Sequence, residues 1–167
     1  TYTCRYTPNA KKKVSVQDIL DGLKDGFWMI LNNSKAIADG LQLFINSNTY
    51  KKYRLEDINT YLILPINNNR IRIFYQEDQP IGLITWCWLT ENKAQKFLRY
   101  EYDPKQEDYA DIDRENKQLW GLDFISTTGK AKTMMSSVRK EHKELYGSTK
   151  VHWRRFSDPT KTHKKEF

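Results

Sequence analysis

Apolar residues return every three or four positions between residues 16 and 30, at Val16, Ile19, Leu20, Leu23, Phe27 and Ile30. That spacing predicts a helix over about 16–31, with Ser15 as N-cap and Asp18 in the capping-box position. A second helix is predicted over about 35–46, with Ile37, Leu41, Phe44 and Ile45 on one face. The polar run Asn46-Ser47-Asn48-Thr49 ends it, and a short turn of helix follows over 55–59. From Thr60 the period changes. Residues 61–64 predict a strand, Pro65 and Asn67-Asn68-Asn69 a turn, and 71–75 a second strand. Residues 77–80 predict a hairpin turn. The run 81–89 is so apolar that it is expected at the centre of a sheet, covered on both faces. Three such runs predict an antiparallel meander.

Residues 90–117 are polar and charged, and predict a short helix within a long surface excursion. A strand over 119–125, a helix over 130–146 and a last strand over 149–156 follow. On that helix Met134, Met135, Val138, His142 and Leu145 have core spacing, and Gly147 fits its C-cap. The order predicts an α+β fold with one mixed, mostly antiparallel sheet flanked by helices. The expected division is a basic arm over 1–14, a single domain over 15–157 and a basic tail over 158–167.

Composition narrows the class. A chain of 167 residues with 38% hydrophobic content buries one real core. No apolar run approaches the roughly 20 residues that span a bilayer. The first thirteen residues are polar and basic, without an apolar leader, and the two cysteines suggest no disulfide framework, so a cytoplasmic setting is expected. No Cys/His cluster has zinc-ligand spacing. The net charge of +7 gathers at the two ends. A basic end suits an acidic protein, an anionic membrane or nucleic acid. Trp86, Trp88 and Trp120 sit in apolar strands, Trp153 beside Arg154 and Arg155 is the one credible base-stacking surface, and nucleic acid is not the expected partner.

The candidate chemistry centres on residues 118–130. Asp123 stands inside an apolar strand, where an acid is costly unless it is paired or used. The turn Ser126-Thr127-Thr128-Gly129-Lys130 then leads into a helix N-terminus, which can receive an anionic or carbonyl-bearing group. A nucleotide-binding loop is excluded, because Phe124 stands where that pattern needs glycine and Ala131 follows Lys130. Cys87 reads as inert core and His142 as structural. His152 and His163 lie in the basic end.

The strand–turn–helix–strand order resembles the acetyltransferase-like (GNAT) architecture, in which two strands splay to admit the pantetheine arm of an acyl donor. That analogy assigns the splay to 81–88 and 119–125. Three blocks carry a closer resemblance. Pro80-Ile81-Gly82-Leu83-Ile84-Thr85-Trp86-Cys87-Trp88-Leu89 is similar to a proline-led strand ending in Ser-Trp-Ala. Trp120-Gly121-Leu122-Asp123-Phe124-Ile125, with Gly129 and Arg139, is similar to a Trp-x-x-Asp-Trp-Ile block followed by Gly and Met-Arg. Ser47-Asn48-Thr49-Tyr50-Lys51-Lys52-Tyr53, followed by Leu62-Ile63-Leu64-Pro65, is similar to Ser-Pro-Leu-His-Arg-Lys-Trp and Val-Leu-Pro. Together they resemble the RTX toxin-activating lysine acyltransferases, over roughly residues 40–160.

The resemblance implies transfer of an acyl group to a toxin or microcin precursor, with an acyl carrier protein thioester or a siderophore-type group as donor and no tightly bound cofactor. It maps the family's aspartate onto Asp123, a serine onto Ser47 and the family's histidine onto Tyr50. Substrate or donor binding is expected at Thr85, Trp86, residues 126–130, and Arg154 and Arg155. The basic end would dock an acidic carrier protein. Tyrosine is a poor base and a reasonable acid toward a leaving thiolate. The exchange at Tyr50 therefore implies changed chemistry, a replacement base (His152 being the better placed) or a binding subunit without catalysis. A related member of the siderophore-microcin type joins a siderophore to a peptide with a partner maturation protein, and the sequence leaves homo- and hetero-oligomers both open.

Overall fold

The computed structural model describes residues 3–4, 33–110, 114–155 and 158–166, with side chains over 33–110 and 114–154. The helix expected over 16–31 lies outside the described residues. Within the expected N-terminal arm, Thr3–Cys4 forms a short strand, β1. Helix α1 covers 33–46. A 3-10 turn, Tyr50–Lys52, leads to α2 (Leu55–Ile58), a π turn (Asn59–Ile63) and α3 (Leu64–Asn67). Strands β2 (Ile71–Gln76) and β3 (Gln79–Thr90) follow, then α4 (Glu91–Leu98) and α5 (Gln106–Tyr109). The chain closes with β4 (Lys117–Ser126), α6 (Ala131–Tyr146), β5 (Lys150–Arg155) and β6 (Asp158–Glu166).

The six strands form one mixed sheet in sequence order. All neighbours pair antiparallel except β4 and β5, which run parallel across the α6 crossover. Glu77 and Asp78 both take positive φ (48° and 64°), so a two-residue turn closes the β2–β3 hairpin on the pair Gln76–Gln79. Strand β3 is buried on both faces, as its apolar run predicts. Helix α6 covers one face through Met134 and Val138, packed on Phe74, Ile84, Trp86 and Leu119. The opposite face carries α1 over Ile73, Leu83 and Ile125, and α4 and α5 over Cys87, Leu89 and Trp120. At Gly82 an added Cβ would lie 2.5 Å from the Ile125 carbonyl oxygen and 2.7 Å from Met134 Sδ, so glycine lets α6 sit close to the sheet.

Four expectations change. Residues 61–64 are not a strand. Tyr61, Leu62, Pro65 and Ile66 are the buried positions, a helical stripe, and Pro65 comes just after the π turn, in which the Thr60 carbonyl accepts the Tyr109 hydroxyl at 2.6 Å. The meander is therefore β2–β3–β4. The buried face of α1 is Ala36, Gly40, Leu43 and Phe44, while Ile45 is exposed, and Leu145 of α6 is exposed as well. Residues read as a basic tail carry β6, which pairs with β5. The sheet does not part between β3 and β4, whose ladder runs from Gly82–Ser126 to Thr90–Lys117. It parts between β4 and β5, which share only the pairs Leu119–Val151, Trp120–His152 and Gly121–Trp153.

Candidate active site

Beyond Gly121 the two parallel strands diverge, and a cavity of about 670 Å³ opens there. On the α6 side it is lined by Ile84, Trp86, Met135, His142 and Val151. On the other side Ser47, Tyr50, Asp123 and Arg154 reach it. The position of Asp123 depends on a β-bulge. Ile84 pairs with Phe124 and Trp86 with Gly121, so Leu122 and Asp123 together oppose the single residue Thr85. Strict alternation from Leu119 through Gly121 would send Asp123 toward α6. The extra residue instead leaves both Leu122 and Asp123 on the face that carries α1 and the tyrosines. Thr85, fully buried, accepts the Asp123 backbone N–H at 3.1 Å and so stands in for the interrupted ladder.

Asp123 is only 2% exposed. Its Oδ1 accepts a 2.8 Å hydrogen bond from the Tyr53 hydroxyl. Its Oδ2 is buried with no hydrogen-bond partner among the described residues. Burial pushes the carboxyl up to about 7, while the Tyr53 hydrogen bond and the Arg154 charge act in the opposite direction. Near neutral pH Asp123 therefore exists in both protonation states, the condition that suits a general base.

The 3-10 turn delivers two tyrosines. Ser47 Oγ accepts the Tyr50 N–H at 3.4 Å, and Tyr53 N–H returns to the Tyr50 carbonyl at 3.0 Å. Both rings point inward, edge to face at 5.4 Å, with Phe44 against both and Tyr61 against Tyr53. The Tyr50 hydroxyl accepts the Phe124 N–H at 3.3 Å. Burial, reinforced by the nearby Asp123, raises both phenols well above their ordinary value, so each keeps its proton at neutral pH. Arg154 donates to the Phe97 carbonyl at 2.6 Å, and its guanidinium lies 3.9 Å and 4.2 Å from the ring centroids of Phe97 and Tyr100.

The structure brings together Asp123, Tyr50, Ser47, Trp86, Ser126 and Arg154 around one cavity. Thr85 sits behind Asp123 and does not line it. Thr127 is tied to the Ile81 carbonyl through both its N–H and its hydroxyl, and Thr128, Gly129 and Lys130 are exposed at the start of α6. The Arg155 and His163 side chains lie outside the described residues. His152 stacks on Trp120 at 5.3 Å and lines a separate depression with Lys117 and Lys150, away from the Asp123 cavity. His142 does line the cavity, edge-on to Trp86 at 4.5 Å. Burial, with help from Arg72 and Arg70, pulls it down to about 3, so it stays neutral and is a weak base. Tyr53, the residue in contact with Asp123, was not singled out by sequence. Its signal was its place three residues after Tyr50, on the inward side of a single turn.

A profile of the RTX toxin acyltransferase family matches residues 29–165, a span that contains the cavity and every side chain around it. The chain belongs to the RTX toxin acyltransferase family. No individual curated protein matches it significantly. The family's members are acyltransferases that activate RTX toxins. In this acyltransferase, no described helix is long and apolar enough to cross a membrane. No group of three or more described His, Cys, Asp or Glu side chains is arranged to hold a metal ion.

Proposed function

We propose that this acyltransferase moves an acyl group from an acyl carrier protein thioester to a lysine of a toxin precursor, with Asp123 as general base. The observation that carries this reading is the buried carboxyl on the cavity wall, held near neutrality and with one oxygen unpartnered. The apolar wall of Ile84, Trp86, Met135 and Val151 suits an acyl chain. The exposed turn Thr128-Gly129-Lys130, at the start of α6, is where the donor's phosphate is expected, and the basic residues of β5 and β6 are the expected dock for an acidic carrier protein.

The lysine ammonium gives one proton to Asp123. The freed amine attacks the thioester carbonyl, and a C–N bond forms as the C–S bond breaks. The second amine proton leaves with the departing thiolate, for which Tyr50, protonated and beside Asp123, is the proposed relay. No histidine is required, because burial gives the aspartate the basicity that an exposed one lacks.

Intact-mass analysis of a toxin precursor co-expressed with wild type or with Asp123→Asn tests this. Modification by wild type and none by the variant is expected. The added mass separates a fatty acyl group from a siderophore conjugate. Equal modification by both proteins would remove Asp123 from the chemistry and leave only a binding role.

A further inference from the structure

We propose that Tyr53 is the positioning residue of the transfer, holding Asp123 Oδ1 so that Oδ2 is the oxygen that receives the nucleophile's proton. This rests on Asp123 being the base, as proposed above. A carboxylate has two oxygens, and a hydrogen bond to one of them decides which is left over. Here the Tyr53 hydroxyl fixes Oδ1 at 2.8 Å. Tyr53 is itself held. Its N–H closes the 3-10 turn on Tyr50, and its ring is packed by Phe44 at 5.5 Å, Tyr50 at 5.4 Å and Tyr61 at 5.3 Å. Tyr61 is anchored in turn by a 2.6 Å hydrogen bond from its hydroxyl to Asp103.

The second oxygen has no such partner among the described residues, although the residue is nearly fully buried. Buried polar atoms are almost always satisfied, and an exception in a residue that lines the cavity points to a partner that arrives with the substrate. Thr85 completes the arrangement by holding the Asp123 backbone from the opposite strand. Among the described residues, hydrogen bonds hold the Asp123 backbone and one carboxyl oxygen, and the remaining oxygen is left for the nucleophile.

Because the Tyr53 phenol keeps its proton, it is a permanent donor and favours the carboxylate. Its removal therefore has a signature that a packing residue would not have. With ¹³C-labelled aspartate, the Asp123 carboxyl is followed by NMR across pH in wild type, in Tyr53→Phe and in a protein carrying 2,3-difluorotyrosine at position 53. Loss of one hydrogen bond in Tyr53→Phe should raise the Asp123 midpoint by about one pH unit. The fluorinated phenol is a stronger donor and should lower it. Opposite shifts in the two proteins support the proposal. An unchanged midpoint in Tyr53→Phe, or a shift of the same sign in both, overturns it. If Tyr53→Phe does not fold, the fluorinated protein alone decides, because a midpoint equal to that of wild type is then the refuting result. The titration does not depend on turnover. Failure of the base assignment would instead appear as undiminished modification by Asp123→Asn, with the titration shifts intact.

Discussion

Asp123→Asn keeps the shape of the side chain and removes its charge. In the folded chain, burial lifts the carboxyl from its ordinary 3.8 to about 7. The fold thus favours the protonated acid. That contribution to stability is fully present below the unfolded value, where both states carry the proton. It is lost as pH rises toward the folded value, because the unfolded chain releases its proton first. A rise of about three pH units, at about 1.4 kcal/mol each, makes the loss about 4 kcal/mol. Asparagine does not titrate and escapes it. The amide carries a fixed cost of about 1–3 kcal/mol, because its nitrogen has no partner where Oδ2 stood. That cost is equal at every pH and cancels in a comparison. Urea unfolding of both proteins at about pH 4 and about pH 8 should therefore show the stability gap moving by about 4 kcal/mol in favour of the variant at the higher pH. A gap that stays constant would refute the reasoning, since burial would then not be holding a proton on Asp123.

Gly82→Ala forces a methyl against the Ile125 carbonyl and Met134, and should destabilise the fold by about 1–3 kcal/mol, read from the urea midpoint. Glu141→Leu removes the carboxylate that pairs with Arg72, which is 2% exposed beneath α6, and should cost about 3 kcal/mol in the same assay. Cys87 is fully buried with its thiol pushed up by that burial, so a thiol reagent should label it only as fast as the protein unfolds.

Much of the sheet was legible because the signals were strong. The run of β3 is apolar on both faces, and the β2–β3 turn residues bound it sharply. The segment at 61–64 misled because four consecutive apolar residues suit a strand or a helix equally. The deciding positions, Pro65 and Ile66, lay just beyond it. Strand β6 was hidden because it is charged and threonine-rich, and its pairing with β5 rather than its own pattern makes it a strand. Asp123 was recognisable as an acid in an apolar strand. Its partners were not. The bulge at Leu122–Asp123 leaves no trace in the alternation, and Tyr53 lies 70 positions away in sequence. The splay was expected between the wrong strands because β5 had no motif of its own to mark where it leaves β4.

The bulge has a consequence for stiffness. Around Asp123, β4 loses both neighbours within a few residues: β5 departs after Gly121, and β3 is out of step at Thr85. Hydroxyl groups replace the missing strands, Thr85 on the Asp123 amide and Tyr50 on the Phe124 amide. Such a stretch can open without the rest of the sheet unfolding, and its amide protons should exchange faster than those of the unbroken ladder on either side of the bulge. A donor lying in the gap would act as the absent neighbour. Part of the rigidity around Asp123 would then be supplied by occupancy rather than by the sheet.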